Sequence, residues 1–168
     1  MIGWCSAWGA ELHYRDLRKL RGLWPLPPGS GIDTISGPQG PDALGVSLAS
    51  LLKRLASRRG IKVVLMDQSK LAGLGNMLSD EVLWRSRIYP AQPANTLDEV
   101  EIRRLYSALT ATLRASVRAE HVPRTSQWLA SQRDRRDPQC PQCDAVLQRT
   151  SGWPNLAVCP LCQVPHTA

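Results

Sequence analysis

The sequence contains no phenylalanine, and aromatic residues make up only 5% of its 168 residues. Since 43% of the residues are nevertheless hydrophobic, we expect a folded core that is built mainly from Leu, Val and Ala. No apolar run approaches the roughly 20 residues that a membrane-spanning helix needs. The N-terminus also lacks a basic region followed by a long apolar segment. The sequence therefore predicts a soluble, cytoplasmic protein that makes no membrane contact.

Acidic residues are scarce relative to basic ones. Asp and Glu number 14 against 21 Lys and Arg, which gives a formal net charge of +7. This excess favours a polyanionic partner such as nucleic acid. Arg outnumbers Lys, which fits phosphate binding because a guanidinium group can donate two parallel hydrogen bonds. A G+C-rich genome, which favours Arg codons, is the alternative explanation.

Four of the five cysteines form two Cys-x-x-Cys pairs near the end of the chain. Fifteen residues separate Cys140 and Cys143 from Cys159 and Cys162, a length that suits a short β-hairpin between two metal-binding turns. Four thiolates complete a tetrahedron and leave no open catalytic position. The pattern therefore predicts one structural zinc ion, with a redox or disulfide role as the alternative. Cys5 stands apart and is interpreted as an ordinary thiol.

The stretch 67–81 reads DQSKLAGLGNMLSDE and contains two closely spaced glycines. Gly73 and Gly75 allow left-handed backbone and close approach to a ligand. Asn76 follows at once and is predicted to be the N-cap of the next helix. Free N–H groups at such a helix start can bind a phosphate. The alternative is a tight turn between helices that binds nothing.

This stretch resembles the helix-two-turns-helix motif of the formamidopyrimidine-DNA glycosylase and endonuclease VIII family. The resemblance rests on Asp67–Gln68 before the turn, on Asp80–Glu81 after it, and on a cysteine-rich finger that closes Cys-Pro-Leu-Cys-Gln163. It covers residues 11–163. It implies a mainly α-helical fold, in which a helix-two-turns-helix bundle precedes a small β-hairpin zinc finger and follows a short remnant of an N-terminal β-sandwich.

The resemblance also implies a division of the chain into three parts. Residues 1–41 would be a remnant of the catalytic β-sandwich domain with its linker, and a strand is expected at Glu11. Residues 42–137 would form the helix-two-turns-helix DNA-binding domain. Residues 138–168 would form the zinc finger.

DNA contacts follow from the same resemblance. In the family, the residues at the positions of Asn76 and Lys62 bind phosphates that flank the damaged nucleotide, and Gly73 and Gly75 belong to the DNA-binding turn. The family finger carries an Arg about five residues before its third cysteine, where this chain has Trp-Pro. Arg149 is the candidate substitute. The acidic and amide residues around the turn are interpreted as structural.

Catalysis in complete family members uses an N-terminal Pro followed by Glu. The secondary amine of the Pro attacks the sugar and forms a Schiff base, so that oxidised bases are removed and abasic sites are cleaved. This chain has Ile2 and Gly3 at those positions. We therefore predict no catalytic residue in the chain as given, and an upstream start that restores the Pro-Glu pair is the alternative.

The function predicted from the sequence is the DNA-binding portion of a base-excision-repair glycosylase and abasic-site lyase. The expected partner is double-stranded, damaged DNA, and the chain is expected to be a monomer at the bacterial nucleoid. Two other hypotheses stay open. One is a stand-alone, non-catalytic DNA-binding protein, and the other is a zinc ribbon that docks proteins. The sequence does not specify which lesion is recognised.

Apolar spacing predicts the helices. A first helix is expected over 42–60, with Asp42 as a possible cap. Residues 61–66 are expected to be helical from the resemblance, although their Val-Val-Leu content would also suit a strand. A capping box, Thr96-x-x-Glu99, predicts the start of a long helix that backs the turn. Residues 124–137 are predicted to be a loop.

Overall fold

The computed structural model describes residues 2–5, 11–14, 25–31, 33–149 and 157–165. The chain forms two compact units, Met1–Gly37 and Pro38–Ala168. The described part is mainly helical, with two short pairs of antiparallel strands. Among the helices in these ranges, none has both the length and the apolar content that crossing a membrane would require.

The described residues of the first unit form one strand pair and one short helix. Strand β1, Ile2–Cys5, runs antiparallel to strand β2, Glu11–Tyr14. The strand expected at Glu11 is therefore confirmed. Helix α1, Asp33–Ser36, is a single exposed turn.

Helix α2, Leu48–Leu55, is shorter than the predicted helix over 42–60. It begins at Ser47, whose hydroxyl accepts the N–H of Ser50, which is how a serine N-cap works. The residues at the start of the predicted range are not helical because their backbone pairs with the turn that precedes Gly73, where Asp42 bridges to Ala72. Asp42 therefore caps a local turn rather than the helix.

Helix α3, Ile61–Met66, confirms that this apolar segment is helical rather than extended. Helix α4, Asn76–Ser86, follows the glycine-containing turn and is buried along most of its length. It ends at Arg87, which adopts the left-handed conformation with φ 58°. Such a C-cap stops the helix and redirects the chain.

Helix α5, Glu99–Ala119, packs against α4 and has a capping box, but not the predicted one. Asp98 accepts the backbone N–H of Glu101 at 2.7 Å, and the Glu101 carboxylate accepts the N–H of Asp98 at 3.0 Å. Thr96 is unavailable as a cap because it lies in a 3₁₀ turn and donates its hydroxyl to the carbonyl of Pro93. The predicted helix start is therefore two residues too early.

The helical core confirms the expectation of an aliphatic interior. Each fully buried Leu, Ile or Val side chain of the core contributes about 1.5–3 kcal/mol to the free energy of folding. Val117 continues the apolar spacing of α5 but does not join the core, since 61% of it is exposed. The buried aliphatic side chains of this core include Leu51, Leu55, Ile61, Val64, Leu65, Leu71, Leu74, Val82, Leu83, Ile88, Leu105 and Leu109.

The segment 124–137 is only partly a loop. It contains a 3₁₀ turn, Leu129–Gln132, that is buried against α4. The chain then reaches the cysteine-rich region, where strand β3, Gln148–Arg149, pairs antiparallel with strand β4, Ala157–Val158. The connection between these two strands, where the turn of the predicted β-hairpin would lie, is outside the described residues.

Candidate nucleic-acid interface and metal centre

The turn between α3 and α4 is held by the side chain of Gln68. Its Oε1 accepts the N–H of Gly73 at 3.0 Å, and its Nε2 donates to the carbonyls of Leu74 at 2.8 Å and Met66 at 3.1 Å. Gly73 has φ +92°, a conformation that favours glycine. The structural role predicted for Gln68 is confirmed, since its side chain makes three hydrogen bonds to the backbone in and next to the turn.

Helix α4 begins with uncapped backbone donors. Gly75, not Asn76, is the N-cap, and no side chain caps this end of the helix. The prediction that Asn76 is the N-cap is therefore wrong, because Gly75 already has the extended backbone of a cap (φ −98°, ψ 179°) and Asn76 is the first helical residue. The first bond of the helix joins the N–H of Ser79 to Gly75, so the N–H groups that precede it are available to an anion.

Lys62 lies behind the turn rather than on its surface. The residue is fully buried on α3, and its Nζ is 2.7 Å from Oδ1 of Asp80 on α4. Arg133 approaches the other carboxylate oxygen of Asp80 at 3.6 Å. Burial raises the pKa of Asp80, while the hydrogen bond and charge of Lys62 lower it. A direct phosphate contact would require Lys62 to leave this ion pair.

Two further acidic residues, Glu81 and Asp67, make contacts that stabilise the structure around the turn. Burial raises the pKa of Glu81, whose carboxylate forms an ion pair with Arg85 at 2.8 Å and accepts the N–H of Ala130 at 3.1 Å. Glu81 thus joins α4 to the 3₁₀ turn. The hydroxyl of Ser69 donates to Asp67 at 2.6 Å and lowers the pKa of that carboxyl. Both contacts confirm the structural roles predicted for these carboxylates.

The four paired cysteines come together in one cluster. Their sulfur atoms all lie within 4.8 Å of one another, and the cysteines are free thiols. The Cys140–Cys162 and Cys143–Cys159 sulfur distances are 3.8 Å and 3.4 Å. Four sulfurs bound to one zinc ion at ~2.3 Å would lie about 3.8 Å apart. The donor set and its spacing therefore fit a tetrahedral metal ion.

The side chains of Trp84 and Gln163 form hydrogen bonds with cysteines of this cluster. The indole N–H of Trp84 donates to the Cys140 sulfur at 3.3 Å. The amide of Gln163 accepts the N–H of Cys159 at 3.2 Å and donates to the carbonyl of Ile88 at 2.9 Å. Burial raises the pKa of the Cys140 thiol, but the Trp84 bond and backbone N–H groups outweigh it and bring the pKa to about 7.

Sequence reasoning missed the contact of Trp84 with the metal centre. Trp84 lies 56 residues before its sulfur partner, so no local spacing relates the two. The sequence pattern identifies Gln163 only as the residue that closes the cysteine motif. Arg149 lies in β3, but its side chain and the nearby Trp153–Pro154 are outside the described part of the structure.

Comparison with known proteins supports the motif assignments. Residues 39–127 match the family model described as the formamidopyrimidine-DNA glycosylase H2TH domain. A formamidopyrimidine-DNA glycosylase of Herpetosiphon aurantiacus is 33% identical over 172 residues, which cover 92% of this chain and 62% of the relative. The chain thus spans less than two thirds of that relative's length.

Two solved structures share the fold. The MutM (Fpg) protein of Thermus thermophilus superposes with a TM-score of 0.65 at 30% identity, and the match covers 77% of this chain and 55% of that protein. The Lactococcus lactis enzyme, bound non-covalently to DNA that contains an AP site, gives a TM-score of 0.62 at 27% identity. That match covers 75% of this chain and 50% of the enzyme. Motifs, fold and family model agree, and the chain belongs to the formamidopyrimidine-DNA glycosylase family.

Proposed function

We propose that this chain is the DNA-binding portion of a base-excision-repair glycosylase and abasic-site lyase that acts on oxidised bases. The observation that carries the proposal is the uncapped start of α4 behind a glycine-containing turn that Gln68 holds in place. The partner would be double-stranded DNA with a lesion or an abasic site. DNA that contains an AP site is also what the Lactococcus lactis relative binds.

The phosphate site would consist of the turn and the first residues of α4. Gly73 and Gly75 are exposed, and no atom lies within 4 Å of a Cβ built on Gly75, so a phosphate can approach this backbone. The helix dipole adds partial positive charge at the same place. Because Asn76 is not the N-cap, its side-chain amide would donate a hydrogen bond to the phosphate.

Lys62 would serve this site indirectly. Its ion pair with Asp80 joins α3, which precedes the turn, to α4, which follows it. Both side chains are almost entirely buried, so the pair fixes the angle at which the two helices leave the turn. We propose that Lys62 braces the turn and that the phosphate is bound by the backbone and Asn76.

The metal would be one structural zinc ion held by Cys140, Cys143, Cys159 and Cys162. Four thiolates fill its coordination sphere, so the ion would stabilise the finger and leave no position for a reactant. The finger would dock on DNA beside the turn, with Arg149 as the substitute for the usual family arginine. The parts of the chain would be the sandwich remnant at 1–41, the DNA-binding domain at 42–137 and the finger at 138–168.

DNA titrations test the proposal. Anisotropy of a labelled duplex that contains an abasic-site analogue should report binding that weakens steeply as salt rises, because phosphate contacts release counterions. A matched undamaged duplex gives the preference for the lesion. Absence of salt-dependent binding would contradict the proposal and favour a zinc ribbon that docks proteins.

A second candidate function is stand-alone DNA binding without chemistry, because the proposed phosphate site consists of backbone N–H groups and one amide, which can hold DNA but cannot cleave it. Borohydride trapping on abasic-site DNA tests whether the chain itself carries lyase chemistry. We expect no covalent adduct, because the residues of the proposed phosphate site, the backbone of the turn and the amide of Asn76, offer no amine that could form a Schiff base with the sugar. An adduct would show that the chain carries lyase chemistry of its own. We further propose a cytoplasmic, monomeric protein at the bacterial nucleoid.

A further inference from the structure

The two sides of the cysteine cluster are in different environments. Cys140 and Cys159 are fully buried, whereas Cys143 is exposed. The buried side packs against Trp84, in the C-terminal half of α4, and against Leu129 of the 3₁₀ turn. The metal centre is therefore built partly by the helical bundle, and not by the finger alone.

Trp84 is positioned to donate one hydrogen bond to a metal ligand. Its indole N–H can only donate, and the side chain is 1% exposed, so water does not compete for it. The Cys140 sulfur lies 3.3 Å away and is its hydrogen-bond acceptor. A thiolate keeps lone pairs when it binds a metal ion, so this hydrogen bond persists in the loaded site. Donors of this kind orient ligands and tune the metal.

Gln163 makes a second link of the same kind. It binds the backbone N–H of Cys159 on one side and the carbonyl of Ile88, just after α4, on the other. Cys140 is thus connected to α4 by one hydrogen bond, and Cys159 is connected to Ile88, just after α4, by two hydrogen bonds in series through the Gln163 side chain. Both links point from the metal centre to the helix whose first residues form the DNA-facing turn.

We infer that Trp84 is a positioning residue of the metal centre, and that its indole N–H holds the Cys140 thiolate for the ion and ties the finger to α4. This role rests on the metal site of the proposed function. It does not depend on which lesion is bound or on whether the chain is catalytic. It predicts that metal retention depends on a residue of the helical bundle.

Zinc affinity of the full chain tests the inference. Competition with a chromogenic chelator should show that Trp84→Phe, which deletes the donor and keeps a ring, binds zinc about 10–100-fold more weakly than the wild type. The matched control is Trp128→Phe, since that ring lies over the Arg85 guanidinium at 4.5 Å. The control should keep wild-type zinc affinity. Equal affinities in both variants would overturn the inference.

A measurement on the wild-type chain removes any dependence on the folding of the variant. When the site is loaded with a cadmium isotope that has a nuclear spin, the Trp84 indole proton should show scalar coupling to the ion through the N–H···S bond. If the chain retains the metal and the Trp84 indole signal shows no coupling, the role of Trp84 is wrong and the metal site stands. A wild-type chain that retains no metal would overturn both the zinc site and the role of Trp84.

Discussion

Asn76 occupies the first position of α4, one residue beyond the extended Gly75. Because the amide is not needed as a cap, we expect it to bind a phosphate through one neutral hydrogen bond. Asn76→Ala should weaken binding to damaged and undamaged duplexes alike by about fivefold, which corresponds to about 1 kcal/mol. Anisotropy titrations measure the loss. Asn95→Ala, at an exposed residue of the 3₁₀ turn before α5, is the matched control. Unchanged affinity in Asn76→Ala would exclude Asn76 from the phosphate site.

Lys62 has a different role from Asn76, because its ammonium group is buried in an ion pair with Asp80. Lys62→Met would leave that carboxylate buried with Arg133 as its remaining cation, and removal of one partner of a buried pair costs about 3–5 kcal/mol. We expect urea denaturation to show this loss in the free energy of unfolding. The salt dependence of DNA binding should keep its slope.

The two roles of Lys62 give opposite results in that experiment. A lysine that contacts a phosphate would reduce the salt slope by about one when it is removed, with little effect on stability. Lys53→Met, at an exposed lysine of α2, controls for the loss of one positive charge. A reduced slope with unchanged stability in Lys62→Met would show that the lysine leaves Asp80 to bind DNA.

Among the elements, α4 depends on Glu81 for its contact with the 3₁₀ turn. Burial raises the pKa of Glu81 above its ordinary value of 4.5, so the folded chain binds this proton more tightly than the unfolded chain does. The contribution of Glu81 to stability is therefore complete below pH 4.5 and decreases as pH rises through the raised pKa.

Glu81→Gln tests this sign because Gln does not titrate. We expect the free energy of unfolding of the wild type, minus that of the variant, to fall as pH rises from 4.5 and then to level off. Urea denaturation of both proteins at a series of pH values gives the difference, in which titrations common to both cancel. A difference that rises with pH would show that Arg85 and the Ala130 N–H outweigh burial.

The elements also show what sequence alone could predict. Cysteine spacing identified the cysteine cluster, which could hold a metal ion, because two Cys-x-x-Cys pairs specify local geometry that fits few other structures. The start of α5 was misplaced because Thr96 and Asp98 both suit a capping box, and only the 3₁₀ turn before the helix decides between them. Burial of Leu129–Gln132 was missed, since it depends on contacts with α4 that are distant in the chain.

The candidate site also contains features that local sequence predicted and features that it could not predict. Local sequence predicted a tight glycine-containing turn and its Gln68 support, because these residues lie within a few positions of one another. The burial of Lys62 and the contact of Trp84 with Cys140 depend on how separate helices pack. A motif match could assign a position to the phosphate site, but it could not show whether the side chain faces outward.

At the scale of the whole molecule, the turn and the cysteine cluster belong to one compact unit, Pro38–Ala168. Helix α4 connects them, with the turn at its start and Trp84 near its end. A single helix of 11 residues is short enough to behave as a rigid body. Loss of metal should therefore affect the stability of the unit that forms the turn, and not only that of the finger.

Removal of the metal tests this coupling. An ion that binds only the folded chain stabilises it by mass action, so zinc at about 1,000 times its Kd should contribute about 4 kcal/mol to unfolding, and a chelator should remove it. Thermal and urea unfolding with and without chelator measure the effect on helical signal. Cys143→Ser, at an exposed ligand, should unfold as the chelated wild type does, with no further response to zinc. Cys5→Ser should respond as the wild type does. Helical unfolding that is identical with and without zinc would show that the bundle holds the turn without the metal centre.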